Sequence, residues 1–232
     1  MHTKNVKYLP KSAMQKGLII DAEAAKFLTE TGVDVGIEKW KGIHKTYVSN
    51  ERMVNGTAVR VEDNCAYLDA EYKKGVQIES FLSVDAELLP GEIDTRSKKE
   101  KVASYRYENA DGQKFFVLAM DVEQNKNATY KRTYARQKQL LEAIEWIAGK
   151  KLPAVILKQP EVYVISKRKG KELFVAVLNA FADSICDEKV VLDKQYSKLR
   201  CLHGNVEYKN GEVYIKDLPA FSFVAFALTE AE

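Results

Sequence analysis

The three histidines of the chain, His2, His44 and His203, limit the nucleophilic chemistry that the sequence can support. A serine or cysteine nucleophile needs a histidine beside it as its general base. Cys201 is the nearest candidate, two residues before His203. Residues at that spacing share one face of a strand, but His203 is followed by Gly204 in a segment that predicts a turn. The sequence therefore predicts no nucleophilic site.

Paired carboxylates are the other candidates, because glycosidic bonds are cleaved by two acidic side chains held about 5–10 Å apart across a sugar. The chain has 33 acidic residues, so neighbouring pairs are expected by chance. The pairs lie in segments with the composition of loops, which predicts solvated side chains. They are Glu62 and Asp63, Asp69 and Glu71, and Glu92 and Asp94. We therefore predict no catalytic residue in this chain.

The sequence also lacks the usual signatures of a cofactor. Neither glycine-rich phosphate-binding pattern, G-x-G-x-x-G or G-x-x-x-x-G-K-[ST], occurs, and there is no G-x-S-x-G elbow. Cys65, Cys186 and Cys201 are widely spaced and form no C-x-x-C pair of the kind that zinc or redox sites use. We predict no cofactor, no metal and buried free thiols, although Cys186 and Cys201 could instead face each other across strands of the second half.

Aromatic side chains are candidates for carbohydrate binding, because their rings can stack on the faces of sugars. Most aromatic residues after residue 153, including Tyr163, Phe221 and Phe223, have apolar neighbours, which favours packing in a core. Tyr196 and Phe181 fall in predicted loops instead. These two residues are therefore our candidate ligand-binding residues.

Charge and hydropathy restrict the partners. The 36 basic residues are dispersed and nearly balanced by the acidic ones, giving a net charge of +3. This pattern predicts no nucleic-acid partner. No apolar run approaches the roughly 20 residues of a membrane helix, so no membrane partner is predicted either. Localisation is left open.

The clearest local element is a strand followed by a helix near the N-terminus. Gly17 to Ile20 forms a short apolar run that predicts a buried strand in the middle of a sheet. Asp21 is a favourable N-cap for a helix over residues 22–31, which Gly32 would end. A second amphipathic helix is predicted from Tyr130 to Ala148, followed by Gly149.

Beyond Pro153 the sequence contains short strand-like runs separated by turns. Asn210-Gly211, like Asp111-Gly112 earlier in the chain, is a strong signal for a β-hairpin. Seven or eight short strands in about 80 residues favour an antiparallel β-sandwich. We predict an α/β domain over residues 1–152 and a β-sandwich over residues 153–232.

Several segments resemble the C-terminal regions of bacterial glycoside hydrolases of the β-galactosidase-like group. They are Lys16 to Gly32, Tyr134 to Pro153 with its Trp146 and Gly149, Val162 to Val164 with Leu173 to Asn179, and Leu218 to Phe221. The resemblance covers the chain from about Lys16 to Leu228. Its motifs are structural rather than catalytic.

The resemblance implies a three-part parent protein. An upstream (β/α)8 barrel would carry the catalytic groups, followed by a domain similar to class I glutamine amidotransferases and then by a β-sandwich. The present chain would hold the last two parts, so its first domain would be flavodoxin-like and partly truncated. Cys65 lacks the flanking glycines of an amidotransferase nucleophile, which implies a domain without that activity.

The sequence thus leads to one main functional hypothesis and two alternatives, one of which is an independent enzyme of unrecognised type. The chain would be a non-catalytic accessory segment of a glycoside hydrolase, with the upstream (β/α)8 barrel of the parent chain as its partner. It would support that barrel or mediate homo-oligomer contacts in carbohydrate metabolism. Alternatively, its β-sandwich would act as a carbohydrate-binding module through Tyr196 and Phe181.

Overall fold

The chain folds into two compact units, Met1–Gly149 and Lys150–Glu232. The structure, a computed structural model, describes residues 6–9, 11–89, 92–94, 99–120, 133–159 and 161–230. Neither α-helix in these ranges combines the length and the hydropathy that a membrane span would need.

The first unit is dominated by one large β-sheet. Its strands run in the order β1-β7-β6-β4-β2-β3, and β5 pairs with β4. Its strands are β1 (Gly17–Ile20), β2 (Ile37–Met53), β3 (Ala58–Tyr72), β4 (Gln77–Leu89), β5 (Glu92–Asp94), β6 (Lys99–Glu108) and β7 (Lys114–Leu118), and its helices are a 3-10 helix (Lys11–Met14), α1 (Ala22–Glu30) and α2 (Tyr134–Ala148).

The flavodoxin-like fold predicted for the first domain is wrong. The expected similarity to an amidotransferase domain is therefore not supported either. That fold needs parallel strands with helices on both faces. Here β1 and β7 form a parallel pair, whereas β2, β3, β4, β5 and β6 pair antiparallel. The strand Gly17–Ile20 lies at one end of the sheet order, not in its middle.

The sheet curls, because register shifts interrupt the pairing of β2 with β3 and with β4. Such irregularities bend strands and increase their twist. As a result β3 returns towards the end of β7, where Tyr67 bridges Met120 and the Leu68 amide donates to the Ala119 carbonyl at 2.7 Å. One apolar cluster joins α1 to β1 and β7, and a second gathers side chains of β2, β3 and β4.

The caps of both helices follow the sequence prediction. Asp21 accepts a hydrogen bond from the Ala24 amide at 3.0 Å, and α1 begins directly after it. Helix α2 begins one turn later than predicted, after Thr133, whose side chain accepts from the Arg136 amide. Gly149 ends α2 in the left-handed region, with φ of 67°.

The second unit consists of two four-stranded antiparallel sheets around one apolar core. The first has the order β12-β15-β10-β9 and the second β13-β14-β11-β8. The hairpin signals at Asp111-Gly112 and Asn210-Gly211 correspond to the β6–β7 and β13–β14 turns. The strands of this unit are β8 (Ala154–Val155), β9 (Val162–Lys169), β10 (Glu172–Asn179), β11 (Ile185–Leu192), β12 (Tyr196–His203), β13 (Asn205–Lys209), β14 (Glu212–Leu218) and β15 (Phe223–Glu230).

The contact of Gly17 with β7 gives a test of the parallel pair. A Cβ atom at Gly17 would lie 1.8 Å from the Lys114 carbonyl oxygen, and the backbone has φ of +125°. We expect Gly17→Ala to lower the free energy of unfolding by about 3 kcal/mol, because two backbones must separate. Gly56→Ala is the matched control, since Gly56 also has positive φ but open space around it, and should cost about 1 kcal/mol. Urea unfolding of both variants measures this, and equal losses would contradict the packing argument.

Candidate functional site

The residues that could do chemistry are dispersed in the structure. No group of three or more His, Cys, Asp or Glu side chains within the described ranges could hold a metal ion. The Cys201 thiol donates to the Gly204 carbonyl at 3.3 Å, and the His203 ring stacks on Phe223 with centroids 4.4 Å apart. Cys201 and His203 are thus each engaged with other groups.

The most site-like polar cluster lies inside the first unit, around Glu51. The Glu51 carboxylate is fully buried and accepts hydrogen bonds from Arg136 and from the Ser80 hydroxyl. Arg136 also donates to Gln139, and the Gln139 amide donates to the Ser104 hydroxyl at 2.9 Å. The Ser80 and Ser104 hydroxyls share a further hydrogen bond. We name these five residues the Glu51 network.

The Glu51 network joins three strands to one helix. Glu51 lies on β2, Ser80 on β4 and Ser104 on β6, whereas Arg136 and Gln139 belong to α2. A buried carboxylate without a partner would be very costly, but here the guanidinium neutralises it and hydroxyl groups complete its hydrogen bonding. The network therefore holds α2 against the sheet, and its carboxylate is already engaged by protein groups.

A surface groove of about 440 Å³ lies beside this network. Gln139 belongs both to the groove wall and to the Glu51 network. The other lining residues are Met53, Val54, Asn55, Thr57, Ile78, Glu79, Tyr134, Ala135, Lys138 and Glu142.

Two carboxylates of the groove, Glu79 and Glu142, converge on Arg106. The Arg106 Nε atom lies 2.9 Å from Glu79, and its terminal nitrogen lies 3.7 Å from Glu142. Burial raises the pKa of Glu79, with Arg106 opposing and Glu142 adding to the rise. A glycosidase pair must face a sugar from two sides, whereas these carboxylates neutralise a single guanidinium. The groove is therefore organised around an ion cluster.

Tyr196, the first of the two predicted ligand-binding residues, begins β12 rather than lying in a loop. Its side chain is 4% exposed and belongs to the core of the second unit. The hydroxyl donates to Asp193 at 2.9 Å and accepts from Arg168 at 3.1 Å. The ring is thus enclosed as the structure stands, and sugar binding by Tyr196 stays a prediction.

Phe181, the second predicted residue, lies in the turn after β10 and is 47% exposed. Its amide donates to the Asn179 side chain at 3.0 Å, and its carbonyl accepts from the Phe221 amide. The ring is accessible on a turn whose backbone is fixed. Sugar binding by Phe181 also stays a prediction.

The sequence interpretation assigned three further aromatic residues to the core that the structure leaves accessible. Phe221 is 75% exposed, Tyr163 61% and Phe223 46%. The misleading signal was an unbroken apolar run such as Val162 to Ile165, which we attributed to one core. In such a strand half of the side chains face the other way, and here that outer face is open.

The Glu51 network gives a second testable prediction. Arg136→Met should lower the free energy of unfolding by about 3–5 kcal/mol, because it leaves the buried Glu51 carboxylate unpaired. Arg52→Met is the control, since Arg52 bonds Glu100 from the neighbouring position of β2 but is 44% exposed. We expect a loss below about 1 kcal/mol there. Urea unfolding measures both, and comparable losses would show that the network does not anchor α2.

The buried phenol of Tyr196 gives a prediction on pH. Burial, with the hydrogen bond to Asp193, raises the pKa of Tyr196 from 10.0 to about 12. The folded state therefore keeps this proton longer than the unfolded state, so the stabilisation is complete below pH 10 and is lost as the pH rises towards about 12. Tyr196→Phe should remove up to about 2 kcal/mol of this pH dependence. Urea unfolding between these pH values tests it, and parallel curves would contradict it.

Comparisons with known proteins relate the chain to glycoside hydrolases by fold. No protein-family model and no curated protein sequence matches it. Among solved structures, an α-L-fucosidase isoenzyme 2 from Paenibacillus thiaminolyticus matches over 93% of this chain and 37% of its own, with a TM-score of 0.54 and 9% identity. Gan42B, a GH42 β-galactosidase from G. stearothermophilus, matches over 99% of this chain and 30% of its own, with a TM-score of 0.47 and 11% identity.

These two matches have different weight. At 9% identity the fucosidase match shows a shared fold and nothing beyond it, and the GH42 match is too loose to carry an argument. The chain spans little more than a third of the fucosidase and less than a third of the galactosidase. The chain therefore has the fold of one region of a larger glycoside hydrolase.

Proposed function

We propose that this chain is a non-catalytic accessory segment of a longer glycoside hydrolase. The observation that carries the proposal is the fold shared with the fucosidase, which extends over both units and 93% of the chain. A likeness that includes both units is more specific than one to a single β-sandwich, an architecture that many unrelated proteins adopt.

The arrangement of charged groups in the first unit supports a structural role. The Glu51 carboxylate is engaged by Arg136 and Ser80, and the two groove carboxylates are engaged by Arg106. A general acid and a nucleophile need a free approach to the sugar. These three acidic side chains instead link strands of the first unit to one another or to helix α2.

In the proposed parent protein, an upstream (β/α)8 barrel supplies the catalytic groups and this segment supports it. Contacts between copies of the segment would mediate homo-oligomer formation. The alternative function, a carbohydrate-binding module, is favoured by one observation, the exposed rings of the second unit. The two functions are compatible, because an accessory segment can also bind the substrate of its enzyme.

Hydrolysis assays test whether the segment has chemistry of its own. The purified chain should release no nitrophenol from a panel of nitrophenyl glycosides, because both groove carboxylates are paired with Arg106. Glu79→Gln and Glu142→Gln are the informative variants. Activity in the unmodified chain that disappears in either folded variant would overturn the proposal.

The genomic context tests the accessory role directly. We expect the reading frame before the Met1 codon, or a neighbouring gene, to encode a (β/α)8 barrel. If the barrel is a separate polypeptide, adding the chain should raise its melting temperature. A source genome that encodes no such barrel nearby would contradict the proposal. A barrel whose melting temperature does not change when the chain is added would also contradict it.

A further inference from the structure

One face of the β-sandwich carries an unusual combination of exposed rings and basic groups. It is the outer face of the sheet β12-β15-β10-β9, opposite the core. Strand pairing fixes its membership, since side chains at register partners share a face. We name it the aromatic–basic face, and it consists of Tyr163, Ile165, Lys167, Lys169, Glu172, Phe174, Ala176, Leu178, Lys198, Arg200, His203, Phe223, Ala225, Ala227 and Thr229.

The end of the face nearest the turns is aromatic. Leu178 pairs with Tyr163 on one side and with Phe223 on the other, so these side chains form a row across three strands. The two rings of this row are separated by two strand spacings, about 10 Å. The Phe223 ring is further oriented by the stacked His203 ring.

The adjoining turns are held in one conformation by Asn179. Its buried amide donates to the carbonyls of Asp183 at 2.7 Å and of Pro219 at 3.1 Å, one in each turn. The backbone of Phe221 has φ of 53°, a left-handed conformation that costs energy in a residue other than glycine. Two exposed rings, Phe181 and Phe221, are thereby presented beside the row at little further entropic cost on binding.

The middle of the face is a shallow trough. Ala176 on β10 and Ala225 on β15 are register partners, and their small side chains form its floor. Ile165 on β9 and His203 on β12 flank them. Larger side chains bound this low region along β10 at Phe174 and Leu178, which lie about 13 Å apart. A linear chain of several sugar units fits this geometry better than a single small ligand.

The other end of the face is basic. Lys167, Lys169, Lys198 and Arg200 are all exposed, and among the described residues of the face the one carboxylate is that of Glu172, which lies 3.8 Å from Arg200. Four positive charges against one negative charge favour an anionic occupant.

The outer face of the second sheet shows that this excess is local. There Lys189 pairs with Glu212, and Lys216 contacts both Asp187 and Glu207. Basic and acidic groups are thus balanced on that face.

We propose that the aromatic–basic face binds an acidic polysaccharide, a linear chain of sugars that carries carboxylates. The rings of the aromatic end stack on sugar faces, and the lysines and Arg200 contact the carboxylates. The excess of positive charge and the low middle of the face favour a linear polyanion. The row of exposed aromatic side chains favours a polyanion made of sugar rings, on which these side chains can stack. The choice of a carbohydrate among polyanions rests on the proposed function.

Binding assays with the full chain test this proposal. The probes are polygalacturonate, alginate and hyaluronan, with neutral dextran and polyglutamate for comparison, in affinity electrophoresis and calorimetry. We expect at least one acidic polysaccharide to bind, with an affinity that falls as salt is raised. Neither dextran nor polyglutamate should bind comparably.

Two pairs of substitutions on the face, with a third pair as a control, locate the site. Lys167→Ala with Arg200→Ala, and Tyr163→Ala with Phe223→Ala, should each weaken binding about ten-fold or more. Lys189→Ala with Lys216→Ala removes the same charge from the opposite sheet and should leave binding unchanged. Circular dichroism melting of each variant separates a lost contact from a lost fold.

Several outcomes would overturn the inference while leaving the accessory role intact. One is that none of the three acidic polysaccharides retards the chain in electrophoresis. Another is that polyglutamate binds equally well, which would indicate an acidic protein partner. A third is that the Lys189→Ala and Lys216→Ala pair loses as much affinity as the pairs on the aromatic–basic face. Dimerisation abolished by Phe223→Ala would assign the face to a second copy of the chain instead.

Discussion

The buried ion pair between Glu51 and Arg136 is the constraint on which the first unit depends. The curled sheet brings β2, β4 and β6 around a polar centre that an apolar helix could not cover without leaving a carboxylate unpaired. Helix α2 supplies both the guanidinium and the Gln139 amide, so every polar group of the Glu51 network has a partner. Packing and electrostatics therefore require the same position for α2.

This constraint also bears on function. A carboxylate inside a protein beside a groove is often a sign of catalysis, because burial and neighbouring charges adjust its pKa. Here the hydrogen bonds of Glu51 run to the helix and the strands, and the two groove acids form ion pairs with Arg106. The same residue types thus serve the architecture of the unit, which agrees with a segment that supports chemistry performed elsewhere.

The two sheets of the second unit share one core but differ in the side chains on their outer faces. One side carries neutralised charges across β11, β13 and β14, as is usual for a surface exposed to water. The other combines rings, alanines and unbalanced basic groups across four strands. Because both sides cover the same core, the packing of the core does not account for the difference between them.

Local signals in the sequence predicted local structure well. The N-cap at Asp21, the helix end at Gly149 and the turn at Asn210-Gly211 depend on short-range hydrogen bonds and backbone preferences, which a few residues determine. The fold of the first unit could not be predicted in this way. The register shifts of β2 and β3 interrupt the alternation that marks a strand, so long polar strands had the composition of loops.

The candidate functional residues show the same difference between features set by neighbouring residues and features set by distant ones. Phe181 was assigned to a loop, and the structure places it in an exposed turn after β10. Glu51 and Arg136 are 85 residues apart, and nothing in either segment indicates the other. The exposed rings of Tyr163 and Phe223 were missed because their strands carry apolar residues on both faces. That composition is typical of a strand that is buried on both faces, whereas here one face is open.

The mass of the native protein tests the central claim most directly. An antibody against this chain would isolate the protein from its source, and mass spectrometry would identify every polypeptide that carries or accompanies it. The account predicts that the 232 residues occur within a longer polypeptide, or in a stable complex, that contains a (β/α)8 barrel. A free chain of this length that hydrolyses glycosides without any partner would contradict the account.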